Sequence, residues 1–243
     1  VASGSIYFTG HTVDSLLFQN PDLYHDLYVF KCVTTVVFTS DSGDEAANAT
    51  RMQELERGLE DAYKFLSDVS SVSPDGTQST YHPKDAAPRK TLQDICILPS
   101  ETDQPITVVN ETTVQIGKHN IVASPLLGLS NVQILYLRLP DSTYFGEGCK
   151  AYGEESLRKL YSADISEITT TDGEATYTVD DLKEIIETIL RGRRANDIRL
   201  MNYHAPLSTD YDDDQLDHAD RIISAKLVMD VMNEEDIDGN VMV

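Results

Sequence analysis

The chain has 243 residues, 40% of them hydrophobic, which is enough for one full core and makes a single domain the simplest count. Its 41 acidic residues against 19 basic ones give a formal net charge of -22, which argues against nucleic acid and anionic membrane as partners, since both carry phosphate. No apolar run is long enough to span a bilayer, and no signal peptide opens the chain.

In chain order, Ile6 to Phe8 is a short apolar strand that stops at Gly10. His11 and Asp14 follow at once, on a loop where an open α/β sheet places its ligands. Asp14 to Leu23 suggests a short helix or turn ending near Pro21. Tyr28 to Thr39, rich in β-branched and aromatic residues, predicts a buried strand followed by a polar loop, Ser40 to Asp44. Arg51 to Val69 is the clearest helix: Met52, Leu55, Leu59, Ala62, Tyr63 and Leu66 recur at threes and fours, with Thr50 as N-cap. Ser70 to Arg89 is a surface loop by composition.

Leu92 to Leu98, Ile106 to Asn110, Thr112 to Ile116 and Ile121 to Ala123 are short strand candidates, the middle two forming a hairpin outside the parallel core. Asn131 to Leu139 is a further strand, closed by Pro140-Asp141. A short helix over Glu154 to Tyr161 and a strand over Ile165 to Thr169 follow. Thr178 and Asp181 resemble a capping box opening a helix to about Arg194, with Leu182, Ile185, Ile186, Ile189 and Leu190 on its core face. Ile198 to Tyr203 is the last expected strand, and a final helix runs from Asp217-His218 to about Met232. This alternation predicts a three-layer, Rossmann-like α/β domain over residues 1–243: a mostly parallel sheet between helices, with a side hairpin.

Cys32, Cys96 and Cys149 allow at most one disulfide. The sequons Asn48-Ala49-Thr50 and Asn110-Glu111-Thr112, with the acidity, lean toward a secreted protein.

Several stretches resemble one family in its own order. Gly10-His11-Thr12-Val13-Asp14-Ser15-Leu16-Leu17-Phe18-Gln19-Asn20-Pro21-Asp22-Leu23, Val33 to Ser40, Glu56 to Tyr63, Leu137-Arg138-Leu139-Pro140-Asp141 and Asp217-His218-Ala219-Asp220 are similar to motifs of the PIG-L/LmbE-like de-N-acetylases, in particular their secreted fungal branch. The resemblance spans nearly the whole chain. It implies a zinc-dependent amide hydrolase acting on N-acetylglucosaminyl compounds. In that family three ligands leave an open zinc position where a bound water is acidified, and a carboxylate takes the proton.

Carried over residue by residue, His11 and Asp14 fall on two zinc-ligand positions and His218 on the transition-state histidine. Val13 falls on the general base, where it can accept no proton. Arg221 falls on the third ligand, where a permanently protonated guanidinium cannot bind zinc. Ser15 replaces the last acid of the opening motif, and Leu55 falls where the family often has a substrate-facing Arg. The expectation is therefore a pseudoenzyme with an incomplete metal site, in which Asp14 and Arg221 form an ion pair in place of the cation. No cofactor is expected, or zinc if the chain is active.

The expected ligand is a small molecule or an N-acetylglucosamine-type glycan. Two alternatives stand beside this one: an active de-N-acetylase whose base and third ligand come from elsewhere, and a metal-independent enzyme of secondary metabolism using His218, Asp14 or Arg221 as acid, base or anion clamp. His204 and His119 are candidates for a rescuing ligand, and Asp41, Asp44 and Glu45 for a rescuing base. The simplest role for Asp210 to Asp214 is a solvated acidic loop.

Overall fold

The computed structural model describes residues 4–29, 31–41, 43, 49–70, 106–110, 112–125, 131–207 and 217–243. The expected loop 70–89, the strand 92–98 and the acidic loop 210–214 fall wholly or almost wholly outside the described residues, as do Asp44, Glu45, Asn48 and Cys96.

The described strands are β1 (Ser5–Thr9), β2 (Val33–Thr39), β3 (Ile106–Asn110), β4 (Thr113–Ile116), β5 (His119–Pro125), β6 (Val132–Leu139), β7 (Ile168–Thr169), β8 (Thr176–Tyr177), β9 (Asp197–Arg199) and β10 (Asn240–Met242). The helices are α1 (Asp14–Leu17), α2 (Asp22–Tyr28), α3 (Ala49–Ser70), α4 (Leu157–Tyr161), α5 (Val179–Arg193) and α6 (Ala219–Glu234). Eight strands form one sheet in the order β10-β9-β1-β2-β6-β5-β4-β3, and β7 and β8 pair separately. The five strands from β10 to β6 are mutually parallel, and β5, β4 and β3 continue antiparallel. This is the expected three-layer α/β fold with a mostly parallel sheet.

The period-two alternation of the strands builds both apolar layers. Ile6 and Phe8, Val36 and Phe38, and Leu135, Leu137 and Leu139 face a core shared with α4, α5 and α6. Tyr7, Val33, Val37, Ile134 and Tyr136 face a second core with Leu23 and Leu27 of α2 and Leu59 and Tyr63 of α3. Helix α6 is buried along most of its faces because it lies against α4, α5 and the sheet together.

Several expectations are corrected. The strand expected from Tyr28 begins at Val33, because Tyr28 closes α2. Thr50 lies inside α3 rather than capping it. The hairpin β3–β4 forms as expected, antiparallel and outside the five parallel strands, and β5 joins it to the edge of the main sheet. Strand β9 is three residues long and not the last, since Asn240–Met242 adds an edge strand beside it. The Thr178–Asp181 capping box of α5 is present with both of its reciprocal bonds. Cys32 is disulfide-bonded. Among the described residues no helix is long and apolar enough to cross a membrane.

Gly10 sets the approach of the two ends of the chain. A Cβ there would lie 2.9 Å from the Arg221 backbone nitrogen and 3.1 Å from Arg221 Cα. Only glycine lets the end of β1 sit so close to the first turn of α6.

Candidate functional site

The site lies at the carboxyl ends of β1 and β6 and at the start of α6. The turn after β1 carries His11 and Asp14, the turn after β6 carries Asp141 and Ser142, and α6 opens with His218, Asp220 and Arg221. Residues some 200 positions apart thus meet, and His11, Asp14, His218 and Arg221 come together.

Asp14 has no solvent exposure. Its Oδ2 accepts the His11 backbone N–H at 2.7 Å, and its Oδ1 accepts Arg221 Nε–H at 2.8 Å. Arg221 also donates through Nη1 to Asp217 Oδ1 at 3.0 Å, and its guanidinium lies 4.6 Å from the centre of the Phe18 ring. The Asp14 carboxyl is held below its ordinary range; burial opposes this, and His11 and Arg221 outweigh burial.

Neighbouring Val13 is part-exposed and offers no polar atom, and Ser15 is buried and accepts a hydrogen bond from Tyr63 Oη. Both Asp14 oxygens are therefore engaged, one of them by a guanidinium, which stays protonated and cannot bind zinc. The His11–Asp14–Arg221 set does not fit a zinc ion.

His11 Nε2 lies 3.1 Å from Asp141 Oδ1 and 3.5 Å from Asp220 Oδ2. Asp220, also fully buried, accepts Ser142 Oγ–H at 2.7 Å and the Ser142 backbone N–H at 3.0 Å. Burial would lower the His11 pKa, but the three carboxylates gathered around its ring, Asp14, Asp141 and Asp220, lift it to about 12. Asp141 is pushed up to about 6 by burial and by the charge of Asp220, against the pull of His11.

His218 caps α6: its Nδ1 accepts the Asp220 backbone N–H at 3.2 Å. Burial, with the charges of His11 and Arg221, holds its pKa below the ordinary value although Asp220 opposes. Neutral His218 therefore carries its proton on Nε2 and can donate it to a ligand. Its ring stands edge-on to His11 at 4.5 Å and to the part-exposed Tyr144 at 5.8 Å.

The other candidates separate. His119 meets Tyr177 and Asp181 across the fold, where Lys118 already lies 2.7 Å from Asp181 Oδ1. His204 stacks on Tyr203. Asp41 reaches the rim of the site by accepting Thr12 Oγ1–H at 3.2 Å. Beside half-buried Leu55, Glu56 takes a two-pronged bond from Arg138. Sequence reasoning assigned no role to Asp141, Ser142 or Asp220. The signals were an acid directly after the proline that ends β6 and an acid in the first turn of α6.

The protonated His11 ties stability to pH. Its folded pKa, about 12, stands above the ordinary 6.5, so the folded chain keeps a proton that the unfolded chain releases. The contribution is full below pH 6.5 and is lost as pH rises toward 12, with a slope approaching ~1.4 kcal/mol per pH unit. Urea titrations at stepped pH should show this alkaline decline, and His11→Gln should flatten it. An unchanged slope in His11→Gln would mean that the proton is held elsewhere.

Comparison of the chain with protein-family models, with curated proteins and with solved structures returned no match.

Proposed function

We propose that the chain is a PIG-L/LmbE-like protein that has lost zinc-dependent de-N-acetylation and keeps the cleft to bind a small polar molecule, of which an N-acetylglucosamine-type glycan is the leading class. One observation carries this reading: Arg221 Nε lies 2.8 Å from Asp14 Oδ1, a fixed cation on the carboxylate that would otherwise take the metal. Val13 agrees with it, since no carboxylate stands at that position to take a proton from a water. Around the site stand groups that suit a hydroxylated ring: the Nε2–H of His218, the Asp141 carboxylate and the exposed rings of Tyr144 and Phe18. The Cys32 disulfide supports a secreted protein, because such bonds persist in oxidising compartments.

The test is acetate release from N-acetylglucosaminyl substrates with zinc in excess, run beside calorimetric titration of the same saccharides. Acetate at the buffer rate together with measurable saccharide binding is the expected result. Catalytic acetate release would overturn the reading. A second reading, metal-independent chemistry, is favoured by neutral His218 with its N–H directed away from the helix cap. It requires a turnover that survives a chelator and fails in His218→Ala.

A further inference from the structure

The arrangement on the far side of His11 is not explained by the Asp14–Arg221 pair. His11, Asp141, His218 and Asp220 each offer one donor atom, and all four atoms lie within 4.8 Å of one another. His11 Nε2 is 3.1 Å from Asp141 Oδ1 and 3.5 Å from Asp220 Oδ2, and His218 Nδ1 is 3.6 Å from Asp220 Oδ2. A tetrahedral zinc with bonds of about 2.0–2.1 Å sets its ligands roughly 3.3 Å apart. These three edges of the cluster already have nearly that length.

We propose that His11 Nε2, Asp141, Asp220 and His218 form a divalent-cation site of zinc type, separate from the Asp14–Arg221 pair. The proposal rests on the reading that Arg221 has taken the metal's place on Asp14. Two carboxylates only accept, so the space between them and Nε2 needs a positive occupant. A proton on Nε2 makes one bond, at 3.1 Å to Asp141, and leaves Asp220 at 3.5 Å; a dication reaches all three.

The surroundings are those of a supported metal ligand. Buried His11 Nδ1 has no hydrogen-bond partner among the described residues and lies 3.5 Å from Asp14 Oδ2. A proton on Nδ1 would face that carboxylate and leave Nε2 to bind metal, with Asp14 as the outer partner that orients the ring. Ser142 holds Asp220 through two bonds and fixes its direction. His218 joins as fourth ligand by releasing the Asp220 N–H. Two imidazoles with two carboxylates suit zinc better than calcium or magnesium.

The experiment is zinc titration of the intact protein, with metal content read after dialysis, on the wild type, Asp141→Asn and Asp14→Asn. The expected result is one zinc per chain in the wild type and in Asp14→Asn. For Asp141→Asn the dissociation constant should rise more than about 100-fold, beyond the 10–100-fold that loss of an outer partner causes. No zinc uptake by the wild type overturns the proposal and leaves the Arg221 reading intact. Uptake abolished by Asp14→Asn and kept by Asp141→Asn overturns both.

A readout on the wild type avoids dependence on variant folding. The imidazole nitrogen-15 spectrum identifies which His11 nitrogen takes the metal. Nε2 supports the proposal; Nδ1, the nitrogen that faces Asp14, refutes it.

Discussion

Replacing Arg221 with alanine should lower the stability of the fold by about 3 kcal/mol, because it leaves the Asp14 carboxylate buried without its partner. Asp14 has no access to water, and its other oxygen keeps only the His11 backbone N–H and the His11 ring Nδ1 3.5 Å away. The loss also removes the guanidinium stacked on Phe18 and the tie to Asp217. Urea denaturation of Arg221→Ala, Asp14→Asn and the double variant measures the pair directly. The double variant should lose less than the sum of the single changes, by about 1–3 kcal/mol, the range of residues in contact. Strict additivity would mean that the two side chains do not act on one another, and the proposed replacement of metal by arginine would lose its basis.

Gly148→Ala should be the most damaging addition of a single methyl group to the loop after β6, at about 3 kcal/mol, the upper end for overpacking. A Cβ at this position would overlap the backbone carbonyl group of Glu154 and crowd the carbonyl oxygen of Glu155. Backbone cannot swing aside as a flexible side chain does. Gly148 also forms an isolated bridge with Ser142, the residue that holds Asp220 through Oγ and N–H. The strain should therefore pass into the site as well as the fold. Thermal unfolding reads the first effect, and the ring resonances of His11 and His218 read the second. A variant with wild-type melting and unmoved histidine signals would show that the loop has slack which the packing does not suggest.

Much of the site's outline was legible in the sequence. The strand-glycine-His-x-x-Asp pattern placed His11 and Asp14 at a strand end, and the similarity to a known motif order tied them to His218 and Arg221. The physical incompatibility of a guanidinium with zinc then led to the ion pair, which the structure contains at 2.8 Å. Asp141 and Asp220 were harder to see. An isolated aspartate after a proline, or in a helix's first turn, has common local uses in turns and against the helix dipole, and such a local use hides a long-range one.

The amino-acid sequence by itself determined the alternation of strand and helix, because burial on both faces writes continuous apolar runs for parallel strands and a 3.6-residue stripe for α3 and α5. It likewise determined the capping box of α5, whose bonds span only three residues. The tertiary structure alone decided the strand order, the attachment of β3 and β4 through β5, and the edge strand β10, which is too short to declare itself by pattern. It alone decided the charge balance of the cluster. Asp141 is pushed up to about 6 and His11 to about 12 only because burial and three carboxylates converge on one imidazole. Such convergence belongs to three separate turns brought together by packing, and no window along the chain contains it.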